Sequence, residues 1–283
     1  MKISENTFIR VLEKAKAGGY AVGAVNIFNY VTACAAMDAA EEIGQDVIIQ
    51  TSAGTVKEFG AERLSAMINL LRNGRTIEVA LHLDHCRDKE LGKACVFAGW
   101  DSIMMDFSAE PLEENIRDTA EMAAFAHEHG VALEGEVGVI SGVEEDIVSD
   151  KAVGAGFEET MQFVESTGVD AIAPAIGTAH GVYKGVPVIN YELVEQLGKE
   201  KTPVVIHGGS GLPAETFRRL IALGGRKINI STIVKNAYLG EIRAIVKSGK
   251  KYSPIDFDKT VCMAVKEEVR KHLLVFSGMK DEF

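Results

Sequence analysis

Ile77-Glu78-Val79-Ala80-Leu81-His82-Leu83-Asp84-His85 begins as an apolar run and ends in a knot of titratable side chains. Its first part, 77–83, predicts a strand. Near-continuous Val, Ile, Leu and Ala are expected where both faces of a parallel sheet are buried. The pattern repeats along the chain, at 21–26, 46–51, 101–105, 131–137, 169–173, 203–206 and 227–230. Helix-length segments alternate with these runs, at 29–43, 61–72, 89–98, 112–128, 157–167, 191–198, 214–222 and 232–247. Eight βα units in 283 residues predict an α/β fold of the closed (βα)8 TIM-barrel kind, for which about 250 residues is typical. Open doubly wound sheets usually have fewer strands, and no Gly-x-Gly-x-x-Gly follows the first strand. No linker or low-complexity segment divides the chain, so 1–283 is expected to form a single domain. It would carry an N-terminal amphipathic helix, with Phe8, Ile9, Leu12 and Ala15 on one face, and a C-terminal helical extension. Two connections, 138–156 and 174–188, are longer than a barrel needs, and such loops often form lids and binding elements.

Composition narrows the function. A net charge of −11 argues against nucleic acid, whose phosphates need clustered Lys and Arg. No apolar run approaches the roughly 20 residues that span a bilayer. The first 19 residues lack the apolar centre of a signal peptide. Cys34, Cys86, Cys95 and Cys262 show no CxxC spacing and read as reduced thiols of a cytoplasmic protein.

All strand C-termini of a barrel open onto one face, so polar residues there converge although they are distant in sequence. Those residues are His82-Leu83-Asp84-His85, Glu134 and Glu136, Gly177-Thr178-Ala179-His180-Gly181, His207-Gly208-Gly209-Ser210-Gly211 and Asn229-Ile230-Ser231-Thr232. His85, His180 and His207 make a plausible zinc set with the fourth position open. Any one of them alone would more often be a hydrogen-bonded histidine of the core or rim. His82 is expected to face outward as a structural residue, and His127, His129 and His272 have no assigned role. Asp84 is a candidate general acid/base, or else an acid that orients a histidine. Asp106 and Glu136 suggest a second metal site or support for the first. The Gly-rich turn after 203–206 and the Ser/Thr pair after 227–230 fall where barrels commonly grip phosphate, with Ser231 or Thr232 capping the following helix.

These stretches together resemble the class II fructose/tagatose-bisphosphate aldolase family, over essentially the whole chain. The most specific are Val79 to His85, Leu133-Glu134-Gly135-Glu136-Val137-Gly138 followed by Gly142-Val143-Glu144, and the segments around His180, His207 and Asn229. The resemblance implies a catalytic Zn²⁺ on His85, His180 and His207 that polarises a ketose carbonyl and stabilises the enediolate of dihydroxyacetone phosphate. Asp84 would protonate the C4 oxygen, Glu144 would move the C3 proton, and Asn229 would hydrogen-bond the enediolate. Gly181, Gly208, Gly209, Ser210, Ser231 and Thr232 would hold the C1 phosphate, often with a monovalent cation (Na⁺ or K⁺) nearby. Asn26 and Ser52 would contact substrate, and Asp106 and Glu136 match a second divalent-ion site. The implied partner is a small phosphorylated sugar, and the implied assembly is a homodimer or homotetramer.

Departures from the family fall mainly on the aldehyde half. Phe107 replaces a small residue after Asp106, Ser141 stands where Gly or Met is usual, and Ser231 replaces an Asp. Thr260-Val261-Cys262 occupies the place of a Pro-Ala-Arg run whose Arg binds the distal phosphate; a thiol cannot replace that bidentate ligand. Fructose 1,6-bisphosphate is therefore less expected than tagatose 1,6-bisphosphate or a ketose 1-phosphate without a distal phosphate. A zinc hydrolase is a weaker alternative, because the strand-three motif is His82-Leu83-Asp84-His85 and not the His-x-His common in such barrels. A non-catalytic sugar-phosphate binder is weaker again. Lys227, at the start of its strand, is expected on the wrong face for Schiff-base chemistry.

Overall fold

The computed structural model describes residues 3–144, 147–149, 153–181 and 187–279; the side chains at 4, 141–144, 147–149 and 180 lie outside the described set. Eight parallel strands close a barrel. They are β1 (Val22–Asn26), β2 (Val47–Ser52), β3 (Val79–Cys86), β4 (Ser102–Met105), β5 (Ala132–Val137), β8 (Ala171–Pro174), β10 (Val204–Ile206) and β11 (Gly225–Ile230). Around the barrel they run β1-β11-β10-β8-β5-β4-β3-β2 and back to β1. Each expected strand is present within two or three residues of its expected limits.

The helices are α1 (Thr7–Gly18), α2 (Tyr30–Ile43), α3 (Ala53–Phe59), α4 (Ala61–Arg72), α5 (Lys89–Phe97), α6 (Leu112–Glu128), α7 (Phe157–Thr167), α8 (Tyr191–Leu197), α9 (Ala214–Ala222), α10 (Thr232–Ser248) and α11 (Pro254–Phe276). The apolar faces of most of them join the outer strand faces in one large core. Helix α11 packs along α2 and over β1. Gly23 makes this possible, since a Cβ there would lie 2.2 Å from Leu273 Cδ2.

A second apolar cluster fills one end of the barrel interior. Phe8, Val11, Leu12 and Ala15 of α1 meet Val22, Ala24, Ile48, Ala80, Ala132, Ala171, Ala173 and Val205. The small alanines leave the bore room for the α1 side chains. Strand residues alternate between faces, so those two and four positions beyond this layer also point inward. Among them are Asn26, Gln50, Ser52, His82, Asp84, Glu134, Glu136 and His207; on β11, where Ile228 and Ile230 face the outer core, Lys227 and Asn229 point inward as well. The interior thus passes from an apolar plug to a polar layer at the strand C-termini.

Two expectations are corrected by this geometry. His82 does not face outward. It shares the inward face with Asp84, because residues two apart in a strand lie on one side. It is fully buried, its ring stacks on Phe8 at 5.2 Å, and its Nδ1 lies 2.7 Å from Ser102 Oγ. Lys227 likewise points into the interior, fully buried. The long connections 138–156 and 174–188 also carry regular structure. Strand β6 (Ser141–Glu144) forms an antiparallel hairpin with β7 (Ile147–Ser149) and pairs in parallel with β9 (Ala179–His180). Helix-scale and strand-scale periodicity does not reveal such short segments, because they pair only with each other. Helix α3 follows β2 directly and was not anticipated.

Phe8→Ala should cost about 3–5 kcal/mol by urea unfolding, as for other buried aromatic deletions; a loss below about 1 kcal/mol would remove α1 as the barrel's plug. Away from the barrel mouth, His127 Nε2 lies 2.8 Å from Asp170 Oδ2, and that hydrogen bond raises the His127 pKa against the opposing effect of burial. The stability from this pair is complete below the unfolded histidine pKa of about 6.5 and fades as pH rises through the raised folded value. Urea midpoints measured from pH 6 to 8.5 should decline less in His127→Gln than in the parent.

Candidate active site

The end of β3 delivers two consecutive side chains to one place. Simple alternation would send Asp84 inward and His85 outward. Instead His85 adopts φ +43°, the one positive φ of a non-glycine residue among the described residues. The β3–β4 register shifts between Leu83 and Cys86. The irregularity turns His85 back into the barrel, beside Asp84. A non-glycine residue in this region costs of order 1–3 kcal/mol and persists only where its surroundings demand it.

Asp84 is held by amides. Asn26 Nδ2 donates to Oδ2 at 2.8 Å and Asn229 Nδ2 donates to Oδ1 at 3.1 Å. Behind Asn26, Gln50 Nε2 donates to Asn26 Oδ1 at 2.7 Å. Behind Asn229, Lys227 Nζ donates to Asn229 Oδ1 at 2.8 Å and lies 2.9 Å from Glu134 Oε2. Each amide is oriented by what lies on either side of it.

The imidazoles sit among carboxylates. His85 Nδ1 lies 3.1 Å from Asp106 Oδ2 and 4.0 Å from Glu136 Oε2. His207 Nδ1 lies 3.0 Å from Glu136 Oε2, and its Nε2 lies 2.9 Å from Glu134 Oε1. The two rings meet edge to face at 4.6 Å. All are buried. Burial disfavours charge on His85, but Asp84, Asp106 and Glu136 outweigh it and raise its pKa well above the usual histidine range. Burial opposes ionisation of Asp106, yet its bonds from His85 and Ser108 hold it well below the usual carboxylate range. Glu134 is likewise held low, against burial, by Lys227 and His207. Burial and Lys227 together push His82 well below the usual range, so its ring stays neutral.

Ligand atoms of Asp84, His85 and His207 all lie within 4.8 Å of one another, as do those of His85, Asp106 and Glu136. Either trio could hold a cation. The His180 side chain lies outside the described set, but its backbone lies close by in β9. A Cβ on Gly208 would lie 2.6 Å from Ala179 O, so β9 rests on the turn that follows His207. The Glu144 side chain is likewise outside the described set; its backbone belongs to β6, beside β9.

The remaining predicted residues line the same rim. Ser52 is in register with Asp84, and its hydroxyl accepts from Thr55 N at the start of α3. Gly208 (φ +67°) and Gly181 (φ +87°) occupy left-handed turns. Ser210 Oγ accepts from Ser231 N at 3.3 Å, tying the β10 and β11 turns together. Ser231 stands at the N-cap position of α10, but its hydroxyl makes no capping bond. Buried Oγ atoms of Ser231 and Thr178 lack a hydrogen-bond partner among the described residues. Thr232 begins α10. Gln50, Lys227 and Glu134 received no role in the sequence. Their signal was present as polar residues two positions before Ser52, Asn229 and Glu136.

The profile of the family described as fructose-bisphosphate aldolase class-II matches residues 6–280. The chain belongs to the class II fructose-bisphosphate aldolase family. A fructose-bisphosphate aldolase of Staphylococcus aureus is 36% identical over 271 residues, covering 94% of this chain and 95% of its own. One of Geobacillus stearothermophilus is 37% identical over 252 residues, covering 86% and 87%. The crystal structure of the YdjI aldolase of Escherichia coli K12 superposes with a TM-score of 0.84 at 31% identity, covering 95% and 96%. The protein is therefore an aldolase, a carbon–carbon lyase on a (βα)8 barrel.

In this aldolase Cys262 lies on α11, half-buried toward α2 near Cys34 and Asp38, and burial raises its thiol pKa. Phe107 packs on the outer core, with Lys89 Nζ 5.8 Å from its ring centre. Gly208→Ala should combine backbone strain with a clash on Ala179, destabilising the fold by roughly 1–3 kcal/mol and cutting turnover at least about tenfold. Wild-type turnover in that variant would contradict the seating of β9 on the β10 turn.

Proposed function

We propose that this aldolase reversibly cleaves a ketose 1,6-bisphosphate of the tagatose or fructose type into dihydroxyacetone phosphate and an aldehyde such as glyceraldehyde 3-phosphate. The observation that carries the proposal is the convergence of Asp84, His85 and His207 at the mouth of a barrel rimmed by glycine turns. The residues fit a divalent cation. Asp84, Asp106 and Glu136 are buried around two imidazoles, and buried carboxylates need compensating positive charge. Imidazole nitrogens with an open position suit Zn²⁺, held by His85, His180 and His207. When bound, the zinc supplies a Lewis acid for the ketose carbonyl.

The chain's own groups do the rest. Asp84, fixed by two amides, exchanges a proton with the C4 oxygen as the C3–C4 bond breaks or forms. Asn229 carries a second amide hydrogen for the enediolate of dihydroxyacetone phosphate. Glu144 moves the proton at C3. Gly181, Gly208, Gly209, Ser210, Ser231 and Thr232 grip the C1 phosphate through amides and hydroxyls at the start of α10. The buried Ser231 hydroxyl, without a hydrogen-bond partner among the described residues, supports that grip. A monovalent cation accompanies the phosphate, Asp106 and Glu136 serve a second divalent ion, and Asn26 and Ser52 border the substrate. The whole chain, 1–283, acts as one catalytic domain within a homodimer or homotetramer. No described helix is long and apolar enough to cross a membrane, and all four cysteines are free, which supports a cytoplasmic setting.

A second reading is favoured by one observation. Cys262 stands where the family's distal-phosphate Arg is expected, so a ketose 1-phosphate without a second phosphate competes as substrate. A coupled assay for dihydroxyacetone phosphate across ketose 1-phosphates and 1,6-bisphosphates decides between them. EDTA should abolish its release and Zn²⁺ should restore it; full activity in EDTA, or a borohydride-trapped lysine adduct, would refute the metal mechanism. Asp84→Asn should lower turnover about 10²–10⁴-fold with zinc still bound. Unchanged turnover would remove Asp84 from the chemistry.

A further inference from the structure

Lys227 is a fully buried ammonium to which the chemistry above gives no task. Its neighbours make it a junction. On one side it donates to Asn229 Oδ1 at 2.8 Å, and Asn229 Nδ2 then donates to Asp84 at 3.1 Å. On the other it lies 2.9 Å from Glu134 Oε2, whose partner oxygen Oε1 lies 2.9 Å from His207 Nε2.

The direction of each bond follows from chemistry. An ammonium can only donate, and an ionised carboxylate can only accept. The Asn229 amide lies between one of each, so its oxygen must face Lys227 and its nitrogen Asp84. Glu134, with Lys227 beside it, accepts from His207 Nε2–H. His207 Nδ1 faces Glu136 at 3.0 Å in the same way, on the side of the cation cluster, so a bound cation would take the place of the Nδ1 proton and leave Nε2–H on Glu134.

We propose that Lys227 is a positioning residue that sets both halves of the active site. It turns the Asn229 amide toward Asp84 and, through Glu134, fixes the tautomer with which His207 meets the metal. This inference rests on the zinc-aldolase reading. The plainer role, neutralising Glu134, makes a different prediction, because removing both charges together would satisfy it. A Gln at position 134 can donate or accept, so it balances charge without specifying a tautomer, and a Met at 227 leaves the Asn229 amide free to flip.

The test compares the full-length parent, Lys227→Met and the double variant Lys227→Met/Glu134→Gln. Zn²⁺ affinity is measured by competition with a chromophoric chelator, apo melting temperature by calorimetry, and kcat and KM by dihydroxyacetone phosphate release from the parent's best substrate. Lys227→Met should lose about 10–100-fold in zinc affinity. The double variant should melt near the parent, yet keep zinc affinity and kcat each at least about tenfold down, with KM within roughly threefold. This outcome is expected even if the single variant does not fold. Recovery of both affinity and kcat in the double variant would reduce Lys227 to a counter-ion and overturn the proposal. Parental affinity and kcat in Lys227→Met would overturn it as well. A parent that binds no zinc and is indifferent to EDTA would overturn the zinc reading, and this inference with it.

Discussion

Charge compensation among side chains buried inside the barrel is the constraint on which the site depends. Asp84, Asp106, Glu134 and Glu136 are all buried at the C-terminal half of the barrel. Uncompensated, each would carry a large desolvation penalty. Lys227 answers Glu134, paired amides answer Asp84, and His85 and His207 answer Asp106 and Glu136. The imidazoles are thereby drawn toward charge and held in fixed orientations. The same surplus of negative groups that raises the His85 pKa makes the cluster a natural seat for a divalent cation.

The plug at the other end makes this possible. Helix α1 fills the N-terminal mouth with Phe8, Val11, Leu12 and Ala15. Its Phe8 ring lies under His82 and helps shut off the polar layer from below. Buried hydrogen bonds gain strength in such a low-dielectric interior, and the polar network becomes correspondingly rigid. Access is left to the C-terminal rim, where β6, β7 and β9 gather above the turns after β5, β8 and β10.

Most of the barrel was legible in the chain. Runs such as 131–137 and 227–230 announce buried parallel strands through their apolar content, and the intervals between them leave room for helices. The site was legible as a set of polar strand ends. What periodicity mis-stated was local. His82 was assigned to the wrong face although it shares parity with Asp84, and the β6–β7–β9 sheet was treated as loop. Strands of two to four residues leave no repeat of their own, and β6 meets β9 only through the fold.

The sequence alone determined the alternation of strands and helices, the glycine turns and the titratable groups at strand ends, because these depend on neighbours a few residues away. Only tertiary structure decided that Asp84 and His85 share a face, since the turn at His85 is imposed by its register against β4. Tertiary structure also decided that Lys227 joins Asn229 to Glu134, because that contact exists only once β5 and β11 stand on facing walls of a closed ring.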